Sequence, residues 1–143
     1  MDSDKDAATG FVEYRVPYGD TDAMGVVYYG NYLLYFERSR NELMRKATIT
    51  YKEMETRGFG LPVIESHVNY KNPAVYDDLL VISAVLSWVK GVRMRVDCTI
   101  KRGDTLIATG YTVHCCMDYK TRRPARVIPE IAELACGDPP AAD

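Results

Sequence analysis

From Phe11 to Tyr18 apolar and polar positions alternate, with Val12, Tyr14 and Val16 on one side and Glu13 and Arg15 on the other. That period of two predicts a half-buried strand. Between Asn31 and Ala47 the period changes. Tyr32, Tyr35, Phe36, Ser39, Leu43 and Ala47 fall at three- and four-residue steps, and Glu37, Arg38, Asn41, Glu42, Arg45 and Lys46 fill the remaining positions. This predicts one long amphipathic helix, with Arg38–Glu42 and Glu42–Lys46 spaced for ion pairs along its wet side. Tyr51 to Arg57 reads as a shorter helix stopped by Gly58.

After Gly60 the pattern stays that of strands, over Leu61–Tyr70, Leu79–Val89, Val92–Lys101 and Thr105–Met117. The run from Val92 is the cleanest: Val92, Met94, Val96, Cys98 and Ile100 alternate with Arg93, Arg95, Asp97, Thr99 and Lys101. Lys90-Gly91 and Arg102-Gly103-Asp104 are short breaks suited to antiparallel hairpins, with glycine supplying a positive φ. Pro129 to Ala135 reads as a brief closing helix begun by its proline. The expected class is α+β: an antiparallel sheet of about five strands, with the long helix laying its apolar stripe on one face.

A length of 143 residues, 47% hydrophobic and 27% charged, fits one domain. Residues 1–10 and 137–143 are small, polar or Pro-containing and are expected to be frayed tails around a domain at 11–136. With 18 Lys and Arg against 20 Asp and Glu, the net charge of −2 offers no field that would draw the chain onto nucleic acid. The longest apolar run, Leu79 to Val89, spans eleven residues with two serines, too short for a membrane span. The acidic amino terminus lacks the basic start and apolar middle of a secretory signal, so a cytoplasmic location is expected. Cys98, Cys115, Cys116 and Cys136 show no CxxC spacing and read as reduced, mostly buried thiols; no metal site is expected.

The segment Tyr18-Gly19-Asp20-Thr21-Asp22-Ala23-Met24-Gly25-Val26-Val27-Tyr28-Tyr29-Gly30-Asn31 places two carboxylates and three glycines just ahead of the long helix. The first N–H groups of a helix lack partners and its dipole favours negative charge nearby. A carboxylate there can act as nucleophile or as general base on water, while the N–H groups stabilise charge developing on an attacked carbonyl. The same residues also suit an Asx-type turn that caps the helix, and spacing alone leaves both readings open.

The stretch YGDTDAMGVVYYGNYLLYFER resembles the active-site segment of the hotdog-fold acyl-CoA thioesterases, the group typified by 4-hydroxybenzoyl-CoA thioesterase and the Tol-Pal-associated thioesterase. The similarity continues through Tyr70, Pro73, Ala74, Tyr76, Asp77 and Asp78 and covers about residues 11 to 132. It implies a hotdog fold, a long helix wrapped by a curved antiparallel sheet, working as a dimer or a dimer of dimers, such as a homotetramer, with each site at a subunit boundary. It further implies Asp22 as the catalytic carboxylate and the Tyr29 backbone N–H as oxyanion donor. Gly25 allows the loop to approach, and Asp20 and Thr21 act as supports. Tyr18, Val27, Asn31, His67 and Pro73 are the other expected pocket residues. The opposing subunit is expected to supply Val63 to Tyr70 and the Asn72-Pro73 corner. The Tol-Pal-associated branch commonly has His where this chain has Tyr29, and the 4-hydroxybenzoyl branch has Tyr, so aromatic and short aliphatic acyl groups both stay open.

Residues 88 to 127 hold nine bases against three acids. A coenzyme A tail carries phosphates, and Lys90, Arg93, Arg123 and Arg126 are the expected contacts, the alternative being a solvated strand face. His67 and His114 are the only histidines and, without a GxSxG segment, suggest no serine triad. Glu37 is the fallback acid if Asp22 points away. The expected reaction is hydrolysis of an acyl-CoA thioester without metal or cofactor. A hotdog hydratase or dehydratase, and a non-catalytic acyl-CoA-binding protein, are the competing readings.

Overall fold

The computed structural model describes residues 9–47 and 49–141. Five strands form one antiparallel sheet in the order β1-β4-β5-β6-β3: β1 (Thr9–Arg15), β3 (Val63–Tyr70), β4 (Leu79–Lys90), β5 (Arg93–Arg102) and β6 (Thr105–Cys115). The helix α1 (Asn31–Met44) packs on one face of this sheet, against β1, β4 and β5. The class and strand number match the expectation. A second sheet of two-residue strands, β2 (Phe59–Gly60), β7 (Met117–Asp118) and β8 (Arg123–Pro124), has too little sequence to carry a period and was not anticipated.

The core is the meeting of two stripes. Tyr32, Tyr35, Phe36, Ser39, Leu43 and Met44 face the sheet from α1. Leu80, Ile82, Ala84 and Leu86 of β4 and Met94, Val96, Cys98 and Ile100 of β5 receive them. Each large aliphatic side chain so buried contributes roughly 1.5–3 kcal/mol. β4, β5 and β6 form the expected meander, and Gly91 and Gly103 take φ of 61° and 57° in its two turns.

Several boundaries move for physical reasons. β1 starts at Thr9, opposite Val85, inside the expected tail; residues 1–8 and 142–143 lie outside those described. β1 ends at Arg15 because Pro17 and Gly19 turn the chain into a 3-10 turn at Tyr18–Asp20. α1 gives way after Met44 to tighter turns, with Lys46 N–H on Leu43 O and Ala47 N–H on Met44 O. Along α1, Glu42 pairs with Arg45 at 2.7 Å rather than with Arg38 or Lys46, while Arg38 lies over the Tyr14 ring at 4.4 Å. Residues beyond Cys136 do not leave the domain at once. Leu86 O of β4 accepts Cys136 N–H at 2.9 Å, and Lys90 Nζ donates to Pro140 O at 3.3 Å.

The short helices follow their signals. α2 (Tyr51–Thr56) is capped by Thr50, whose hydroxyl accepts the Glu53 N–H at 3.1 Å, and stops at Gly58 with φ 91°. α3 (Pro129–Ala132) opens on its proline. No helix among the described residues is long and apolar enough to cross a membrane.

Candidate active site

The loop between β1 and α1 is tied down at both ends. Asp20 Oδ2 accepts hydrogen bonds from Tyr14 Oη at 2.8 Å and Tyr35 Oη at 2.7 Å, which tie its carboxylate to β1 and α1. Its carbonyl accepts Tyr28 N–H and the Asn31 side-chain amide, each at 2.9 Å. Burial and the neighbouring Asp20 charge push the Tyr35 and Tyr14 hydroxyls up, keeping both neutral and donating. Thr21 Oγ1 donates to Tyr18 O at 2.7 Å. Asp20 and Thr21 are thus scaffold residues by geometry.

Asp22 sits at the start of a tight reversal. Its N–H bonds Val26 O, its carbonyl accepts Gly25 N–H, both at 2.9 Å, and Gly25 closes the turn with φ 81°. Asp22 Oδ1 accepts Met24 N–H at 2.9 Å, an Asx-type turn, while Oδ2 makes no hydrogen bond among the described residues. The turn reading and the chemical reading therefore coexist, one for each carboxylate oxygen. Capping is not its role: the N-cap of α1 is Gly30, which has no side chain to offer. Val27 N–H bonds Ala74 O at 2.8 Å and Val26 bridges to Val75, which fixes this reversal against the chain before β4.

Beside Asp22 opens a cavity of about 320 Å³. Met24, Val26 and Val27 supply its loop side, Tyr29 and Tyr32 its helix side, and Tyr70 with Lys71, Asn72 and Pro73 the wall beyond β3. Tyr70 Oη donates to Tyr29 O at 3.1 Å, and the Tyr32 and Tyr70 rings meet edge to face at 5.2 Å. The N–H groups of Tyr29 and Gly30 make no hydrogen bond among the described residues, whereas Asn31 N–H already bonds Tyr28 O at 2.9 Å. Two unspent donors thus stand at the positive end of α1.

Of the expected site residues, Asp22, Tyr29, Val27 and Pro73 line this cavity. Gly25 and Asn31 hold the loop rather than the wall. Tyr18 is 76% exposed and packs edge-on against Tyr76 at 5.8 Å, outside the lining. His67 lies on β3, stacked on Tyr111 at 5.5 Å and bonded to Asn69, also outside it. The Asn72-Pro73 corner, expected from an opposing subunit, stands in the wall of this chain's own cavity. Lys90 and Arg93 flank the far turn of the meander, and Arg123 and Arg126 lie exposed on and after β8. Because β4 runs twelve residues, about 40 Å, from Leu79 near the loop to Lys90, one chain does not bring these four bases to Asp22. Glu37 is exposed on α1 and lines a different cavity.

Met24, Val26, Tyr32 and Lys71 are lining residues beyond the expected set, and Tyr70 and Asn72, expected from an opposing subunit, line the cavity of this chain. Tyr32 carries only the signal of a core position in the sequence. His114 is buried with Nδ1 2.8 Å from Leu61 O and Nε2 2.8 Å from Thr112 Oγ1. Burial pulls it down to about 4, so it stays neutral and structural.

One long helix laid on a five-stranded antiparallel sheet is the architecture of a hotdog fold, and the solved structure of a probable thioesterase from Bartonella henselae shares it with a TM-score of 0.73 at 28% identity, over 85% of this chain and 99% of that one. The profile of the thioesterase-like superfamily matches residues 16–134, and the chain belongs to that family. It is 31% identical over 118 residues to the acyl-CoA thioesterase YbgC of Haemophilus influenzae, covering 82% of this chain and 87% of that protein. It is 29% identical over 115 residues to the 1,4-dihydroxy-2-naphthoyl-CoA hydrolase of Synechococcus elongatus, covering 76% and 81%. The solved structure of Slr0204, a 1,4-dihydroxy-2-naphthoyl-CoA thioesterase from Synechocystis, shares the fold with a TM-score of 0.81 at 23% identity, over 90% of this chain and 96% of that one.

Proposed function

We propose that the protein hydrolyses acyl-CoA thioesters to the free acid and coenzyme A, with Asp22 as the catalytic carboxylate. The observation that supports this reading is that Asp22 and Tyr29 line one cavity, the Asp22 Oδ2 and the Tyr29 N–H each making no hydrogen bond among the described residues. The thioester carbonyl oxygen sits against the Tyr29 N–H, where charge develops as the carbonyl carbon is attacked. In one route Asp22 Oδ2 bonds to that carbon, coenzyme A leaves as thiolate, and water cleaves the resulting anhydride. In the other, Asp22 takes a proton from the attacking water. Single turnover in isotopically labelled water separates them: label enters the Asp22 carboxylate only in the first.

A second copy of the chain is part of this reading. Seven of the eight residues of β3 are exposed, Val63, Ile64 and Tyr70 among them, and β3 is an edge of the sheet. Exposed apolar edges of this kind invite pairing. A dimer, and a dimer of dimers above it, covers them and gives Lys90, Arg93, Arg123 and Arg126 of one subunit a route to the phosphates held at another's cavity. A cytoplasmic setting fits the free thiols of Cys98, Cys115, Cys116 and Cys136.

Free thiol release over a panel of benzoyl, short-chain and long-chain acyl-CoA thioesters tests the reading. Release of coenzyme A from at least one class is expected. Hydration of an enoyl thioester without thiol release, or binding without turnover across the panel, overturns it.

A further inference from the structure

The carboxyl-terminal half of α1 faces the turn into α2 across a second, larger cavity of about 580 Å³, which shares no lining residue with the one beside Asp22. Arg40, Asn41 and Arg45 reach it from α1, and Thr50 and Lys52 from the start of α2. Arg40 had no place in the amphipathic pattern, and it is the one charged residue buried in this domain among those described, at 8% exposure. Its Nε atom is buried and has no hydrogen-bond partner. The nearest carboxylate oxygen, Glu37 Oε1, stands 3.7 Å from Arg40 Nη2, beyond hydrogen-bonding range, and the Glu37 side chain is more than half exposed.

A guanidinium taken out of water is costly unless its donors are met, and its planar fork matches a carboxylate or phosphate better than a water molecule. The surroundings are arranged for such a guest. Lys52 and the Asn41 amide have no hydrogen-bond partner for their side chains among the described residues, and Arg45 holds Glu42 outside the lining. With Arg45 paired to Glu42, Arg40 and Lys52 face the two surface carboxylates of the lining, Glu37 and Glu55. The volume is that of a small-molecule site, many times the ~30 Å³ share of one water.

We propose that the cavity between α1 and α2 is an anion-binding site anchored on Arg40, taking a small ligand that bears a phosphate or carboxylate group. The site is separate from the thioesterase chemistry and stands or falls without it.

Titration calorimetry at constant ionic strength tests it, with inorganic phosphate and succinate as the two probes. Saturable binding of at least one of them is expected, one per chain, weakened at least tenfold in R40M, several-fold in K52Q, and unchanged in D22N. No saturable binding of either probe overturns the proposal. So does a folded R40M that binds like the parent, or loss of binding in D22N, which would move the anion to the other cavity. If R40M fails to fold, K52Q decides, and parental affinity in K52Q contradicts the site.

Discussion

Tyr35 Oη donates to Asp20 Oδ2 at 2.7 Å, so a residue on the buried face of α1 holds the loop that delivers Asp22 two positions later. Tyr14 from β1 shares the same oxygen at 2.8 Å. Strand, loop and helix are fastened at one carboxylate. Y35F leaves Asp20 a single side-chain donor and is expected to cost about 1–3 kcal/mol in chemical denaturation. Because burial and Asp20 raise the Tyr35 hydroxyl above its ordinary value, its contribution is complete below pH ~10 and fades as the unfolded chain's tyrosine ionises above that. The parent should therefore lose more stability than Y35F between neutral pH and about pH 11. Parallel losses would contradict this role.

His114 predicts the acid side. Folded, it is pulled down to about 4 by burial, whereas the unfolded side chain titrates at the ordinary 6.5. Its contribution is present above pH 6.5 and lost as pH falls toward 4, on the order of 3 kcal/mol in total. In H114N, where the amide replaces the ring donor to Leu61 O, the stability difference between pH 7 and pH 4.5 is expected to shrink. An unchanged difference assigns acid loss to other groups.

Tyr29 separates side chain from backbone. Its ring is 64% exposed beside Tyr28, while its N–H is the donor assigned to the thioester oxygen. Y29F should keep kcat within about twofold, since one lost exposed hydroxyl is worth little and the N–H survives. A hundredfold fall in kcat would shift the oxyanion role to the phenol.

Arg102 anchors the opposite wall. Its Nη1 donates to Pro73 O at 3.1 Å and Asp78 Oδ2 at 2.8 Å, and Asp78 Oδ2 also accepts Val75 N–H at 2.9 Å. R102Q is expected to cost about 1 kcal/mol of stability and to raise KM more than it lowers kcat, because the corner shapes the cavity without touching the reacting carbon. A selective fall in kcat would point to a direct part in the reaction.

Periodicity revealed the sheet and helix because each has one dry face: the steps from Tyr32 to Leu43 and from Met94 to Ile100 are those seen buried. It could not reveal β2, β7 and β8, two residues each, nor the contacts that Cys136 and Pro140 make with β4. The loop carrying Asp22 stood out through its clustered acids and glycines, and its resemblance to a thioesterase segment singled out Asp22 and Tyr29. The rest of the cavity depends on how distant segments fold back. Tyr70, Lys71 and Asn72 reach it because the turn after β3 is held by Lys71 and Asn72 N–H on Ile107 O, a contact with no local signature. Arg40 carries no such signal because a charged residue on a helix is ordinarily a wet one, whereas here it is buried.

The steady-state kcat of D22N, on whichever acyl-CoA the parent turns over fastest, bears most directly on this account. Asparagine keeps the size of the side chain and an oxygen for the Met24 N–H, so the fold should persist while the negative charge is gone. A fall of roughly 10²–10⁴-fold with an unchanged melting temperature is the expected result. Turnover like that of the parent would contradict it and move the chemistry away from this loop.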